Sequence, residues 1–178
     1  MLVVNFSVCR KGEANGREGL AFKVVDLCWS PPSDSSYKLN FDATFDSEKK
    51  LMGIGIVVRN YRGEAMIVVT APRSHLRYAY SAECYALIRS IKLCREMRLQ
   101  QVVIEGDAKS IIEDVIGQST NSSWQGILIE DIKYLLKGMN GWKLSFVRRG
   151  SNKVAHIAAK LGMCFQILSQ CGLKMVLL

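Results

Sequence analysis

The sequence predicts an α/β domain whose centre is a five-stranded mixed sheet flanked by helices, with three antiparallel strands followed by two parallel ones. Three observations support this prediction. Three strand-like segments follow one another with links of hairpin length. Apolar residues then recur every three or four positions, which is typical of amphipathic helices. Two further strand-like segments alternate with these helices, and such strands join a sheet in parallel through right-handed crossovers.

Length and charge narrow the possible functions. With 178 residues the chain suits one domain, and its net charge of +8 favours a polyanionic partner, because Lys and Arg neutralise phosphates. The six cysteines and two histidines fall in no zinc-binding pattern. No apolar run approaches the roughly 18 to 20 residues that cross a bilayer, and residues 1–10 lack a basic leader. We therefore expect an intracellular monomer, in the nucleus or the cytoplasm, with no membrane partner.

The composition also predicts the domain boundaries. Residues 1–36 are expected to be a linker or the remnant of a longer N-terminal segment, because residues 9–19 are polar and glycine-rich and residues 30–36 contain two prolines. Residues 37–170 then form the domain. Residues 171–178 are an apolar C-terminal tail.

The first half of the domain is predicted to be an antiparallel meander. Strands are expected at residues 38–45, 53–59 and 64–71, joined by turn-forming residues at 48–50 and 60–63. Three sequential strands with such short links pair with their neighbours in antiparallel order.

The second half is predicted to alternate helices and strands. A helical stripe starts at residue 80 and continues to residue 94, and a short β-branched strand follows at 101–105. Helices are expected at residues 108–116 and 124–139, and a strand at 142–148. The last helix opens after residues 150–152, and its predicted inner face consists of Val154, Ile157, Ala158, Leu161, Phe165 and Leu168. On that wheel Asn152 and His156 face away from the core.

Three acidic residues stand at positions that stability alone does not explain. Asp42 lies in the middle of the first strand, although Asp is among the poorest strand formers. Asp107 follows the fourth strand, and Glu83 lies at the edge of the buried face of the first helix. Ligands of open sheets bind at the carboxyl ends of parallel strands, so the three acids can converge there. The three acids cannot all be ionised in a small volume without cations, so we expect them to bind Mg²⁺.

These residues lie in four motifs that resemble those of a known family. The segments KLNFDATFD, SAECYAL with Glu83, VVIEGDAKSII and VRRGSNKVAHIAA resemble the ribonuclease H fold, in particular the ribonuclease H-like domains of plant retroelement-derived, reverse-transcriptase-associated proteins. The resemblance covers residues 29–161. It implies hydrolysis of the RNA strand of an RNA–DNA hybrid with two Mg²⁺ or Mn²⁺ ions. Asp42 would bridge both ions, while Glu83 and Asp107 would hold the first, and Glu83 would also orient the ribose 2′-hydroxyl.

The chain departs from the family pattern at its fourth acidic position. In active members an Asp follows the last-loop Asn by four residues, but here Asn152 is followed by His156. Since Mg²⁺ prefers oxygen ligands, we expect His156 to weaken the second metal site. Arg148 and Arg149 stand where some members have a histidine. They can hold a phosphate but cannot transfer protons.

Nucleic-acid contacts are predicted at four residues, and one of them has two interpretations. Asn152, Arg148 and Arg149 are expected to contact nucleic acid near the last helix. Gly53 either lets a nucleic-acid backbone approach closely or eases a bulge in its strand.

Three functions remain open from the sequence. The first is an endonuclease that hydrolyses the RNA of RNA–DNA hybrids, weakened by His156. The second is a catalytically impaired nucleic-acid-binding module, whose salt-sensitive binding would survive the loss of Asp42. The third is a purely structural domain, which would have to keep three acids together without a cation to neutralise them.

Overall fold

The computed structural model of the protein describes residues 29–33, 35–74, 77–117 and 123–170, with side chains as far as residue 165. It confirms the predicted order of elements. These are β1 (Tyr37–Asp46), β2 (Leu51–Arg59), β3 (Ala65–Ser74), α1 (Ala79–Glu96), β4 (Val102–Gly106), α2 (Lys109–Ile116), α3 (Trp124–Lys137), β5 (Trp142–Phe146) and α4 (Lys153–Gln170).

The strands form one mixed sheet in the order β3-β2-β1-β4-β5, as the sequence predicts. β1, β2 and β3 are antiparallel, whereas β4 and β5 run parallel to β1. Asp42 pairs with Gly55 across β1 and β2, and Asn40 pairs with Glu105 across β1 and β4. β1 is therefore the central strand, and its carboxyl-terminal half lies beside the end of β4.

The two faces of β1 have different environments. Leu39 and Phe41 are fully buried in the main hydrophobic core, together with apolar residues of α1 and α3. The alternating residues Lys38, Asn40 and Asp42 point to the opposite face, the one that α4 covers. β1 thus presents an apolar face to the hydrophobic core and a polar face to the side that α4 covers.

Helix α4 packs unusually close to the sheet. A methyl group at Gly55 would collide with the carbonyl oxygen of Ala155, and one at Gly53 would collide with the carbonyl oxygen of Ala159. The two glycines of β2 therefore allow the helix backbone to approach the strand. The interpretation of Gly53 as a nucleic-acid contact is wrong on this face, because α4 occupies the space above it.

The close packing of α4 also corrects its predicted inner face. Ala155, Ala158 and Ala159 are buried against the sheet, whereas Ile157 is 44% and Leu161 43% exposed. Small side chains fit the short distance between helix and sheet, so the larger apolar residues lie outside. The prediction of the inner face assumed that the largest apolar residues mark the buried side of a helix.

The segment before β1 belongs partly to the domain. The guanidinium of Arg59 lies 4.4 Å from the ring centre of Trp29, and the ammonium of Lys38 donates to the carbonyl of Ser30 at 2.8 Å. Trp29 and Ser30, which the prediction places in the linker 1–36, therefore contact the sheet. Residues 1–28 and the predicted tail 171–178 lie outside the described residues.

A group of buried charged and amide side chains, here called the polar cluster, lies under Trp29 on the α4 face. It consists of Lys38, Asn40, Arg59 and Glu105, each at most 9% exposed. Glu105 accepts from Lys38 at 2.9 Å and from Asn40 at 3.0 Å, and Arg59 donates to the side-chain Oδ1 of Asn40 at 3.1 Å. The polar cluster thus connects β1, β2 and β4 next to Asp42 on the same face of the sheet.

Among the described ranges, no helix is long and apolar enough to span a membrane.

Candidate active site

The structure brings the three predicted acids together beyond the polar cluster. Asp42 is fully buried on the α4 face of β1, and Asp107 directly follows β4, the parallel neighbour of β1. Glu83 reaches the same place from α1. The carboxyl group of Asp107 raises the pKa of Asp42, and those of Asp42 and Asp107 raise the pKa of Glu83. We call Asp42, Glu83 and Asp107 the acid cluster.

Burial and mutual repulsion disfavour the ionised forms of this cluster. Burial, followed by the nearby carboxyl group of Asp107, raises the pKa of Asp42 to about 8. Burial, followed by the charges of Asp42 and Asp107, raises the pKa of Glu83 to about 9. Without added positive charge, Asp42 and Glu83 therefore retain protons near neutral pH.

Asn152 connects three elements at the site. It precedes α4 and is fully buried, and its amide nitrogen donates to the Phe41 carbonyl at 2.8 Å and to Asp107 at 3.0 Å. The expectation that Asn152 faces away from the core is therefore wrong. Its amide fixes the start of α4 relative to β1 and to the carboxylate that follows β4.

His156 faces the acid cluster rather than solvent. Its Nδ1 lies 2.7 Å from Oδ2 of Asp42, and the side chain is 18% exposed. Burial, followed by the positive charges of Arg149 and Lys160, lowers the pKa of His156, so that the imidazole is neutral at pH 7. A neutral imidazole that donates from Nδ1 to Asp42 has only Nε2 left as an acceptor.

Arg149 lies across the open side of the site. One of its terminal nitrogens lies 3.3 Å from Oδ2 of Asp107, and the other lies 2.8 Å and 3.2 Å from the two ring nitrogens of His156. The carbonyl of Arg149 accepts the N–H of Asn152 at 3.1 Å, and that of Arg148 accepts the N–H of Ser151 at 2.9 Å. Two successive turns therefore hold the backbone of Arg149 next to α4, while Arg148 is exposed.

Several buried oxygen atoms at the site have no hydrogen-bond partner among the described residues. They are Oδ1 of Asp42, Oε2 of Glu83, Oδ1 of Asn152 and Oγ1 of Thr44. Thr44 was missed at the sequence level, although it lies two residues after Asp42 and so on the same face of β1. Buried oxygens without partners are costly unless a ligand satisfies them.

These oxygens fit a hard cation in chemical type. Carboxylate and amide oxygens are the ligands that Mg²⁺ and Mn²⁺ prefer. Within the described ranges, no group of three or more His, Cys, Asp or Glu side chains is already arranged so that it could hold a metal ion. The acid cluster thus has suitable donor atoms but not a preformed cage.

The sheet order, the four helices and the acidic carboxyl end of the parallel strands define a ribonuclease H-like domain. The chain is similar in structure to ribonuclease H1 from the halophilic archaeon Halobacterium salinarum NRC-1, with 17% identity over 72% of this chain and 98% of that one and a TM-score of 0.66. It is equally similar to LC11-RNase H1 solved in complex with an RNA/DNA hybrid, with 16% identity over 74% and 99% of the chains and a TM-score of 0.66. At such identities the likeness establishes the fold.

Residues 40–162 match the family described as "Reverse transcriptase-like", and the chain belongs to this family. A viral structure agrees in fold with this assignment. The protease–reverse transcriptase of prototype foamy virus is similar over 76% of this chain and 22% of its own, with 18% identity and a TM-score of 0.56. No curated protein matches the sequence.

Proposed function

We propose that this domain is a nuclease that hydrolyses the RNA strand of RNA–DNA hybrids. The observation that carries the proposal is the convergence of Asp42, Glu83 and Asp107, with buried oxygens that lack partners, at the carboxyl end of β1 and β4. The ribonuclease H-like fold and a structural neighbour solved with an RNA/DNA hybrid support the choice of substrate. We also propose an origin in a plant retroelement; the sequence motifs support both parts of this proposal, and the family description "Reverse transcriptase-like" supports the retroelement.

Asp42, Glu83 and Asp107 would hold a divalent cation, Mg²⁺ or Mn²⁺. When bound, this cation would supply positive charge that promotes ionisation of a water molecule and balances the charge of the scissile phosphate. The raised pKa values of Asp42 and Glu83 support this assignment, because such carboxyl groups release their protons readily when a cation binds beside them.

The other residues of the site orient these groups. Asn152 fixes Asp107, and His156 holds one oxygen of Asp42, so that the second oxygen stays available. Arg148 and Arg149 would bind phosphate oxygens of the hybrid. Hydrolysis adds water across the P–O3′ bond: hydroxide joins phosphorus, the bond to O3′ breaks, and O3′ ends with a proton. The products are a 5′-phosphate and a 3′-hydroxyl.

A cleavage assay on an end-labelled RNA–DNA hybrid tests the proposal. We expect cutting of the RNA strand with Mg²⁺ or Mn²⁺ near pH 8, and its loss in Asp42→Asn, by about 1,000-fold, because that change removes the central carboxylate. Asp46→Asn is the matched control. It changes a half-buried carboxylate at the end of the same strand, where the side chain accepts from the backbone of Glu48 and Lys49 and pairs with the Lys49 ammonium at 3.8 Å. Absence of cutting with either metal at high enzyme concentration would refute the proposal.

The contact between His156 and Asp42 favours a second candidate, a nucleic-acid-binding module with impaired chemistry. At 2.7 Å the imidazole engages an oxygen that an active site would need. This candidate predicts salt-sensitive hybrid binding that is unchanged in Asp42→Asn, together with no cleavage by the wild type. A large gain of cleavage in His156→Asp would show that this position limits the chemistry.

A further inference from the structure

Arg149 occupies the side of the site where the family resemblance implies a second cation. That cation would need an acidic ligand at position 156, but His156 stands there and its Nδ1 contacts Asp42. The remaining ring nitrogen, Nε2, lies 3.2 Å from the guanidinium of Arg149. Oδ2 of Asp42 is therefore engaged with the imidazole, and the imidazole with Arg149, so that in the tautomer that donates from Nδ1 to Asp42 the ring offers no free lone pair to an ion on this side.

The guanidinium brings a permanent positive charge to that place. It lies 3.3 Å from Asp107 and 2.8 Å from Nδ1 of His156, and arginine keeps its proton at every physiological pH. Like charges repel strongly at such distances, so a divalent ion would be opposed here. The same guanidinium balances part of the negative charge of the acid cluster, because it pairs with the carboxylate of Asp107.

Arg149 is also free to contact a substrate. Its side chain is 63% exposed, and its planar fork carries five N–H donors, of which the contacts with Asp107 and His156 use only some. The donors that point outward can bind the non-bridging oxygens of a phosphate. Arginine performs this role in phosphoryl transfer, where it stabilises the charge that develops in the transition state.

We propose that Arg149 is the second positive charge of this active site, so that the chain cleaves hybrids with a single divalent cation. The cation binds the acid cluster, and the Arg149 guanidinium stabilises the charge on the phosphate and on the departing O3′. This inference rests on the proposed nuclease activity. The guanidinium of Arg149 thus takes the role of the ion at the second, weak metal site that the sequence predicts.

Counting bound Mn²⁺ by electron paramagnetic resonance tests the inference independently of cleavage. The full chain is stripped of metal and titrated with Mn²⁺, alone and with an inert hybrid whose RNA strand is 2′-O-methylated. We expect one ion per chain in the wild type under both conditions, and two in the double variant Arg149→Ala/His156→Asp, which removes the guanidinium and adds a carboxylate. Two ions in the wild type with the inert hybrid would overturn the inference.

Cleavage kinetics give the second readout. Arg149→Ala should lower kcat about 100-fold with little change in KM, and Arg149→Lys should recover part of that loss, because Lys keeps the charge but not the fork. Lys153→Ala is the matched control, since it removes an exposed positive charge on the first turn of α4 outside the site. Faster cleavage by Arg149→Ala would overturn the inference, because Arg149 would then obstruct the site.

The two readouts separate this inference from the proposed function. If the wild type cuts hybrids but binds two ions, Arg149 is not the second charge and the nuclease activity stands. If the wild type cuts nothing with either metal, the proposed function is refuted, and the inference, which rests on it, is overturned with it.

Discussion

The polar cluster and the acid cluster lie side by side on the same face of β1 and β4. Asn40 and Asp42 are two residues apart on one strand, and Glu105 and Asp107 are two residues apart on the other. In the polar cluster Glu105 has two cationic or amide donors, and the contacts run from residue to residue. In the acid cluster, by contrast, Asp42 and Glu83 each keep a buried oxygen without a partner among the described residues.

This difference distinguishes residues that stabilise the sheet from residues that are suited to bind a ligand. Buried charges with complete hydrogen bonding fix the register of the strands that they join. Buried acids without partners are costly to the fold, and they persist where a ligand such as a cation would satisfy them. Asn40 and Asp42 share strand, face and burial, so their hydrogen-bond partners distinguish the two clusters on β1.

The largest expected effect comes from breaking the polar cluster. Glu105→Ala would leave Lys38 buried beside no anion and should lower the free energy of unfolding by about 3–5 kcal/mol. Urea unfolding followed by circular dichroism measures it. The control is Glu96→Ala, which breaks the exposed pair with Arg89 and should cost less than about 1 kcal/mol. Equal losses in the two variants would show that the polar cluster does not stabilise the sheet.

A substitution in the acid cluster should have the opposite effect and raise the free energy of unfolding of the metal-free protein. In the presence of a chelator at pH 8, Asp42→Asn should raise the free energy of unfolding by about 1–3 kcal/mol, because an amide removes a buried negative charge. The same urea experiment tests this, and added Mg²⁺ should stabilise the wild type and shrink the difference. A destabilised Asp42→Asn would mean that the carboxylate is already satisfied without a cation.

The pH dependence of stability should sharpen the comparison. Asp42 and Glu83 have pKa values of about 8 and about 9 in the folded protein, above their ordinary values of 3.8 and 4.5, so the folded state binds more protons than the unfolded one. Their contribution to stability is complete at low pH and is lost as the pH rises through those values. His156, whose folded pKa is lowered, acts in the opposite direction, but only below its ordinary value of 6.5.

Between pH 7 and pH 9 we therefore expect the metal-free protein to lose about 1–2 kcal/mol of stability. Thermal unfolding in chelator at several pH values measures this loss. Asp42→Asn should flatten the profile, whereas Asp46→Asn should leave it unchanged. A profile that is level for the wild type would contradict the assigned ionisation.

The smallest expected effect concerns the aromatic cover of the polar cluster. Trp29→Leu should cost about 1 kcal/mol, because the indole ring stacks on the largely desolvated guanidinium of Arg59. Tyr61→Leu is the control, since its ring contacts the exposed Arg62 at 5.4 Å. If thermal unfolding shows that Trp29→Leu loses no more stability than Tyr61→Leu, the ring of Trp29 does not stabilise the domain.

Local patterns in the sequence predict much of this molecule. The helical and strand periods identify every element between residues 37 and 170, and the misplaced Asp42 directs attention to the correct strand. The topology rules for short links and crossovers then predict that Asp107 ends the strand beside Asp42. The motifs lead to the ribonuclease H-like fold, which the family match and the structural neighbours agree with.

The predictions fail where distance between elements decides the result. A helical wheel assigns Ile157 and Leu161 to the buried face of α4, but Gly53 and Gly55 bring the helix so close that only small residues fit there. In this orientation of α4, the Asn152 side chain points into the interior and the His156 side chain points toward Asp42. The periodicity of the last helix cannot predict this orientation, because the orientation depends on the absence of side chains at Gly53 and Gly55 of β2.

The nature and order of the elements, and the carboxylates that end at one edge of the sheet, follow from the chain alone, because they depend on neighbouring residues and on general rules of connection. The state of the site depends on contacts between residues far apart in the chain. Glu105 accepts from two donors, whereas one oxygen of Asp42 has no partner among the described residues, and the guanidinium of Arg149 lies between Asp107 and His156. Packing of α4 against the glycines of β2 sets these distances, and only the folded structure contains them.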